Sequence, residues 1–305
     1  MEKVIRIGTR DSKLALWQAN TVKALIENLG MKAELVSVKS EGDLDLVTPL
    51  YAMGVQGVFT KTLDAFLLSD KIDIAVHSMK DVPTQLAQGI TQVAVLPRAS
   101  HNDIIVHKGN TDLSTYARIG TGSVRRKALW LNKYPNCEID NLRGNVQTRL
   151  QKLQENEWDG AIFAEAGLTR VDLLPEQMIR LDWMLPAPAQ GAIMIVCQEN
   201  APELKAALSV LNDSNTALCV KIERDFLRAL MGGCSTPISA LAIVEGTQVH
   251  FKGSILSPDG KDKMEIEKTV DVATAADLGT ILGKQLLADG ADKIVAKIND
   301  LNSNQ

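Results

Sequence analysis

The side chains best suited to chemistry fall into three groups along the 305-residue chain. The first is a series of arginines: Arg10, Arg125, Arg126, Arg143, Arg149 and Arg170. A guanidinium grips carboxylates or phosphates through a planar fork of donors. A set of them therefore suits a polyanionic small ligand, and a nucleotide or sugar phosphate would satisfy the same pattern. One arginine alone is most often a solvated surface residue. Recurrence at glycine- and serine-containing turns gives the series its weight, as in Thr121-Gly122-Ser123-Val124-Arg125-Arg126 and Leu142-Arg143-Gly144-Asn145.

The second group is Asp73-Ile74-Ala75-Val76-His77-Ser78-Met79-Lys80-Asp81-Val82-Pro83, an apolar run ending in dense polar residues and closed by proline. Asp81 is placed for acid–base work or for stabilising a cation; a turn aspartate capping backbone N–H groups would look the same. His77 reads as a structural hydrogen-bonding group. The third group is Met231-Gly232-Gly233-Cys234-Ser235-Thr236-Pro237. Paired glycines let a loop present the sulfur of Cys234 as an attachment point or nucleophile. Cys137, Cys197 and Cys219 read as small buried residues.

These residues need elements to position them. Val4–Gly8 reads as a strand, Asp11 or Ser12 as a helix N-cap, and Leu14–Leu29 as an amphipathic helix with an apolar face at Leu14, Trp17, Val22, Leu25, Ile26 and Leu29. Strands at Ala33–Val38 and Ile72–Val76 flank a helix from about Thr60 to Leu68. Between them Glu41–Gln56 reads as a loop, long enough to suggest a mobile functional element. The alternation resumes with strands at Ile104–His107, Arg118–Gly120, Glu138–Leu142 and Gly160–Ala164, and helices over 123–133 and 145–155. Such β-α alternation predicts mostly parallel sheets, with ligands beyond the carboxyl ends of the strands. A connector, Pro186–Gly191, leads into an apolar strand at Ala192–Cys197 and helices over 202–211 and 214–230. Three further strands (Ile238–Val244, Val249–Leu256, Met264–Val270) precede helices over 273–288 and 290–299, the texture of a small α+β domain.

Composition narrows the classes. With 33 basic and 37 acidic residues the formal charge is −4, and aromatics make up 4%. That disfavours a nucleic-acid surface. No stretch approaches the apolar length of a membrane span, and the opening residues lack the pattern of a secretion signal. The expectation is a cytoplasmic protein with thiols rather than disulfides and no metal site, since the four histidines and four cysteines show no ligand spacing. A non-catalytic solute-binding protein is the main alternative that the two-domain texture leaves open.

Taken together, these stretches resemble the porphobilinogen deaminase (hydroxymethylbilane synthase) family. The resemblance rests on Thr9-Arg10-Asp11-Ser12 with Leu14-Ala15-Leu16-Trp17-Gln18, Ala75–Pro83, Gly120–Arg126, Leu142–Asn145 with Thr148-Arg149-Leu150, Pro188-Ala189-Gln190-Gly191-Ala192, and Gly232-Gly233-Cys234. It implies two periplasmic-binding-protein-like α/β domains plus a small C-terminal α+β domain. The implied boundaries are 1–97 with 193–213, 98–192, and 214–305. It implies a monomeric transferase that joins four porphobilinogens head to tail, losing ammonia, on a dipyrromethane cofactor bound by thioether to Cys234. Asp81 takes the catalytic role. Ser78, Lys80, Asp81, Thr121, Ser123, Arg125, Arg126 and Arg149 fall at cofactor-binding positions. Arg10, Ser12, Gln18, Arg143, Arg149, Arg170 and Gln190 fall at substrate-binding positions. The chain departs from the pattern at Gln56 and Ala52, where lysines are frequent, at Lys13, where proline is frequent, and at Cys219, where arginine is frequent.

Overall fold

A computed structural model describes residues 4–39, 60–109, 111–232 and 236–303. The loop predicted over Glu41–Gln56 lies outside them, as do Ala52, Gln56, Gly57 and the Gly233-Cys234-Ser235 segment. In chain order the strands are β1 (Val4–Arg10), β2 (Lys32–Val38), β3 (Ile74–Ser78), β4 (Ile90–Val95), β5 (Asp103–His107), β6 (Arg118–Gly120), β7 (Glu138–Asp140), β8 (Gly160–Ala164), β9 (Met178–Arg180), β10 (Ile193–Gln198), β11 (Ile238–Glu245), β12 (Gln248–Leu256) and β13 (Lys263–Asp271). The helices are α1 (Lys13–Asn28), α2 (Lys61–Leu68), α3 (Val124–Lys133), α4 (Val146–Glu155), α5 (Glu165–Thr169), α6 (Pro202–Leu208), α7 (Ser214–Ala229), α8 (Leu278–Leu286) and α9 (Asp292–Ser303).

The described residues divide into two compact units, one of 4–39, 60–99 and 191–217, the other of 100–109, 111–190, 218–232 and 236–303. The first is built on a sheet of order β2-β1-β3-β10-β4. Strands β1, β2 and β3 pair in parallel, while β10 runs antiparallel to both β3 and β4. The second unit repeats the plan as β7-β6-β8-β5-β9, with β5 running against its neighbours. The sheets are thus parallel except for one strand each. That reversal matters for function, because the reversed strand begins at the edge where the parallel strands end. It sets Ile193 beside Ser78 in one sheet and Asp103 beside Ala164 in the other.

Burial fixes the register of these elements. Ile7, Ile74 and Ile195 are fully buried in the first unit, packed against Ala19, Val22 and Ile26 of α1. The buried stripe of α1 is Ala15, Gln18, Ala19, Val22 and Ile26, at the three- and four-residue intervals of one helix face. It is rotated from the predicted face: Trp17 and Leu29 are 39% and 41% exposed. Ser12 is the N-cap, so Lys13 occupies the first helical position, where proline is favoured for the same reason that any residue without a needed N–H is tolerated.

The C-terminal segment forms an antiparallel meander, β11-β12-β13. One face is covered by α7, α8 and α9 around Phe226, Phe251 and Ile255, and the alternating exposure along β13 marks the other face as solvated. The Phe226 and Phe251 rings lie 5.1 Å apart. Cys219 on α7 is buried in this apolar cluster, which accounts for a small side chain there. The fold class is as expected: two α/β sheets of one plan and a small α+β segment.

Candidate functional site

In the first unit the β1–α1 turn and the end of β3 lie at the same edge, because β1 and β3 are parallel neighbours. Thr9 is fully buried and its Oγ1 donates to the Ala15 carbonyl at 3.0 Å. The Ser12 side chain accepts from the Ala15 N–H at 3.3 Å, capping α1. This closes the turn that carries the half-buried Arg10. One turn further along α1, buried Gln18 reaches across to Ser78: its Nε2 donates to Ser78 Oγ at 2.8 Å, and that hydroxyl donates to Oε1 at 3.2 Å. The helix start and the strand end are thereby fastened to each other.

Beyond Ser78 the chain makes a single tight turn, Met79–Asp81, with the Met79 N–H donating to the Ala192 carbonyl and extending the β3–β10 ladder. Lys80 and Asp81 are half-buried at this edge. Among the described residues no hydrogen bond or ion pair reaches the Asp81 carboxylate. His77 is buried, and its pKa is pushed down to about 4, first by desolvation and then by the positive charge of Arg10. At neutral pH it is an uncharged part of the wall.

In the second unit the carboxyl ends of β6, β7 and β8 gather the remaining candidates. The turn after β6 holds Thr121 and Ser123; Thr121 Oγ1 accepts from the Ser123 N–H, and the Ser123 side chain caps α3 by accepting from the Arg126 N–H. The turn after β7 holds Arg143 and leads to α4, capped by Asn145, with Arg149 Nε donating to the Gly144 carbonyl at 2.7 Å. The two turns touch closely. A Cβ on Gly122 would lie 2.5 Å from the Leu142 carbonyl oxygen, and Gly144 turns with φ +117°. Only glycine accepts both conditions. Beyond β8, Arg170 ends α5; it is buried, and desolvation lowers its pKa to about 10.

A buried carboxylate organises this edge. Asp103, at the start of the reversed strand β5, is fully buried. Its Oδ2 accepts from Arg125 Nη2 at 2.6 Å, and its Oδ1 accepts from Arg126 Nη2 at 2.7 Å, Arg126 Nε at 3.1 Å and Gln190 Nε2 at 2.9 Å. Burial alone would raise the Asp103 carboxyl; the two guanidiniums overcome that and hold it far below the usual carboxylate range. The arginines are also tied to backbone, Arg125 Nη1 to the Leu185 carbonyl at 2.7 Å and Arg126 Nη1 to that of Ile162 at 3.0 Å. Arg125 Nε is buried with no hydrogen-bond partner among the described residues. An orphaned donor beside a guanidinium-rich edge fits a bound anion.

Residues 5–206 match the family model described as "Porphobilinogen deaminase, dipyromethane cofactor binding domain", and residues 217–288 match "Porphobilinogen deaminase, C-terminal domain". The chain belongs to the porphobilinogen deaminase family. It is 39% identical over 302 residues to the porphobilinogen deaminase of Syntrophotalea carbinolica, covering 97% of this chain and 96% of the relative. It is 40% identical over 309 residues to that of Cytophaga hutchinsonii, covering 98% of each. Among solved structures it is similar to a Salmonella typhimurium periplasmic binding protein of high arginine specificity, at 12% identity and TM-score 0.43 over 70% of this chain and 94% of that one.

Three acids of the chain are absent from the site read from the sequence. Asp103 opens an apolar strand with a charge, a signal that could have drawn attention to it. Glu165, the first residue of α5, is buried; it accepts from Arg180 Nη2 at 2.6 Å and from the Ser100 hydroxyl. Glu223 is fully buried on α7, accepting from the Ala189 N–H at 2.7 Å and the Ala242 N–H at 2.8 Å. It thus fastens the connector before Gln190 to β11. Glu223 lies four residues after Cys219 and three before Phe226, on the apolar stripe, where a charge is out of pattern.

Proposed function

We propose that Asp81 is the catalytic carboxylate of this enzyme and that the arginine-rich edge of the second unit holds the acidic groups of its cofactor and growing product. The enzyme is a transferase of tetrapyrrole (haem) biosynthesis that condenses four porphobilinogens into hydroxymethylbilane with release of ammonia. Its dipyrromethane cofactor, when bound, supplies the pyrrole end on which the chain grows. Cys234 is the proposed attachment point.

The donor set suits such a ligand. Porphobilinogen carries acetate and propionate groups, so cofactor and product are strongly anionic. Ser78, Lys80, Thr121, Ser123, Arg125, Arg126 and Arg149 are proposed to hold the cofactor. Arg10, Ser12, Gln18, Arg143, Arg149, Arg170 and Gln190 are proposed to hold substrate and product. Guanidiniums in a desolvated edge neutralise carboxylates far more effectively than in water. Asp81 contributes the complementary charge: a carboxylate free to accept pyrrole N–H bonds and to oppose positive charge on a ring as it reacts.

The observation that carries the reading is the state of Asp81: a half-buried carboxylate at a strand end with no hydrogen bond or ion pair among the described residues. An aspartate serving only to cap its turn would be engaged by backbone N–H groups. The same reading takes the protein as a cytoplasmic monomer with three domains divided at 97/98, 192/193 and 213/214. None of the helices in the described residues is long and apolar enough to cross a membrane.

Intact mass is the direct test. The purified chain should exceed its sequence mass by one dipyrromethane, and Cys234→Ala should show no excess. An unmodified native chain that stays unmodified after incubation with porphobilinogen would overturn the cofactor assignment.

A further inference from the structure

We infer that Asp103 is a positioning residue that fixes Arg125, Arg126 and Gln190 in their binding geometry before any ligand arrives. The inference rests on the proposal that Arg125 and Arg126 face the cofactor, and it adds the group that determines how they face it.

Three side chains from two separate stretches converge on this one carboxylate. Arg125 and Arg126 are adjacent on the first turn of α3, so their guanidiniums would repel if brought together alone. Asp103 lies between them, bonded to Arg125 through one oxygen and to Arg126 through the other. Each guanidinium is held at a second point by a backbone carbonyl, Leu185 for Arg125 and Ile162 for Arg126. Two anchors leave a planar group little freedom to rotate. Gln190 is held in the same way, with Nε2 donating both to Asp103 and to the His101 carbonyl at 2.8 Å. Both hydrogens on that nitrogen are committed, which fixes the orientation of the amide.

The anchoring leaves capacity for a ligand. A guanidinium has five N–H groups, and the bonds above use only some of those on each arginine. The buried Arg125 Nε is the clearest remainder. Asp103 also cancels one of the two positive charges, so the burial of the pair is tolerated in the absence of an anion. A site ordered in advance loses less on binding than one that ligand must assemble. Asp103 has no exposed surface and on this reading acts through the arginines.

The test compares Asp103→Asn, Arg126→Gln and the double variant, each produced without cofactor. Native-like circular dichroism is checked first, and incorporation of dipyrromethane on adding porphobilinogen is then followed by intact mass. Each single variant should load about tenfold to a hundredfold more slowly, the scale expected of a misplaced binding group. The double variant should be no slower than the worse single one, because both changes break the same arrangement. Normal loading by folded Asp103→Asn, or multiplicative effects in the double variant, would overturn the inference. Normal loading by Arg126→Gln would instead overturn the underlying assignment of the arginines.

Should Asp103→Asn fail to fold, the question is read on Cys234→Ala, which carries no cofactor. With ¹⁵N-labelled arginine, the side-chain N–H groups of Arg125 and Arg126 should exchange slowly with solvent in that variant, as in the loaded enzyme. Protection found only in the loaded enzyme would mean that the ligand orders the arginines, and Asp103 would lose the role.

Discussion

The two sheets share one strand plan, yet the acids at their corresponding edges are treated in opposite ways. The central parallel strand of the first sheet, β3, leads into Asp81; its counterpart in the second, β8, leads into Glu165. Asp81 has no hydrogen-bond or ion-pair partner among the described residues. Glu165 is bonded to Arg180 and Ser100, and although burial would raise its carboxyl, those contacts hold it below the usual range. The reversed strands differ as well. β10 begins with the buried apolar Ile193, whereas β5 begins with Asp103, which has two arginines around it. A carboxylate that is fully partnered has its charge used in holding neighbours still. Duplicated architecture thus places a carboxylate ringed by two arginines at one edge and, at the other, Asp81, which has no hydrogen-bond or ion-pair partner among the described residues.

The largest test of this contrast is Asp81→Ala. Product formation should fall to background while the melting temperature stays close to that of the unsubstituted chain, since no internal bond among the described residues is removed. Ammonia release and hydroxymethylbilane formation measure the first, and calorimetry the second. Turnover near the normal rate would erase the distinction between the two edges, and a large loss of stability would make Asp81 a structural acid like Glu165.

Much of this arrangement is legible in the sequence, and the unreadable parts share a physical cause. The string from His77 to Pro83, the turns bearing Arg125 and Arg143, and the Ser12 cap all depend on neighbours within a few residues. Local order therefore announces them. Asp103 owes its role to Arg125, Arg126 and Gln190, at separations of up to 87 residues, and no local pattern encodes that. Recurrence at turns marks Arg125 and Arg126 as ligand-binding candidates, but their near-complete burial, at 4% and 5% exposure, has no local signal. Strands β4 and β9 and helix α5 were not anticipated; β9 has three residues and α5 five, too few for a periodicity to register. On α1 the expected apolar face is right at Val22 and Ile26, which are buried, but Trp17 and Leu29, though large and apolar, lie off the stripe that runs through Ala15, Gln18 and Ala19.

A second test uses acid. His77 is neutral in the folded chain down to about pH 4, whereas an unfolded histidine takes up a proton near its model value of 6.5. Between those values the unfolded state binds more protons, so stability falls as pH falls, by an amount on the order of 3 kcal/mol at most, and levels off below the folded pKa. His77→Gln should flatten the part of the pH dependence that lies between 6.5 and 4, as read from urea midpoints over that range. An unchanged slope would mean that His77 takes up its proton in the folded chain as readily as in the unfolded one.

The smallest effect distinguishes capping from binding at the two serine turns. Ser12 caps α1 and Ser123 caps α3 through similar bonds, 3.3 Å and 3.4 Å long, so alanine at either should cost about 1 kcal/mol of stability. If capping were their whole role, activity would follow stability and the two variants would behave alike at low temperature. The edges are proposed to do different things, with Ser12 meeting substrate and Ser123 the cofactor. Ser12→Ala should then raise KM for porphobilinogen with normal cofactor content. Ser123→Ala should slow cofactor loading and leave KM nearly unchanged once loaded. Matching losses in both would reduce the serines to caps and leave the difference between the edges to the carboxylates and arginines alone.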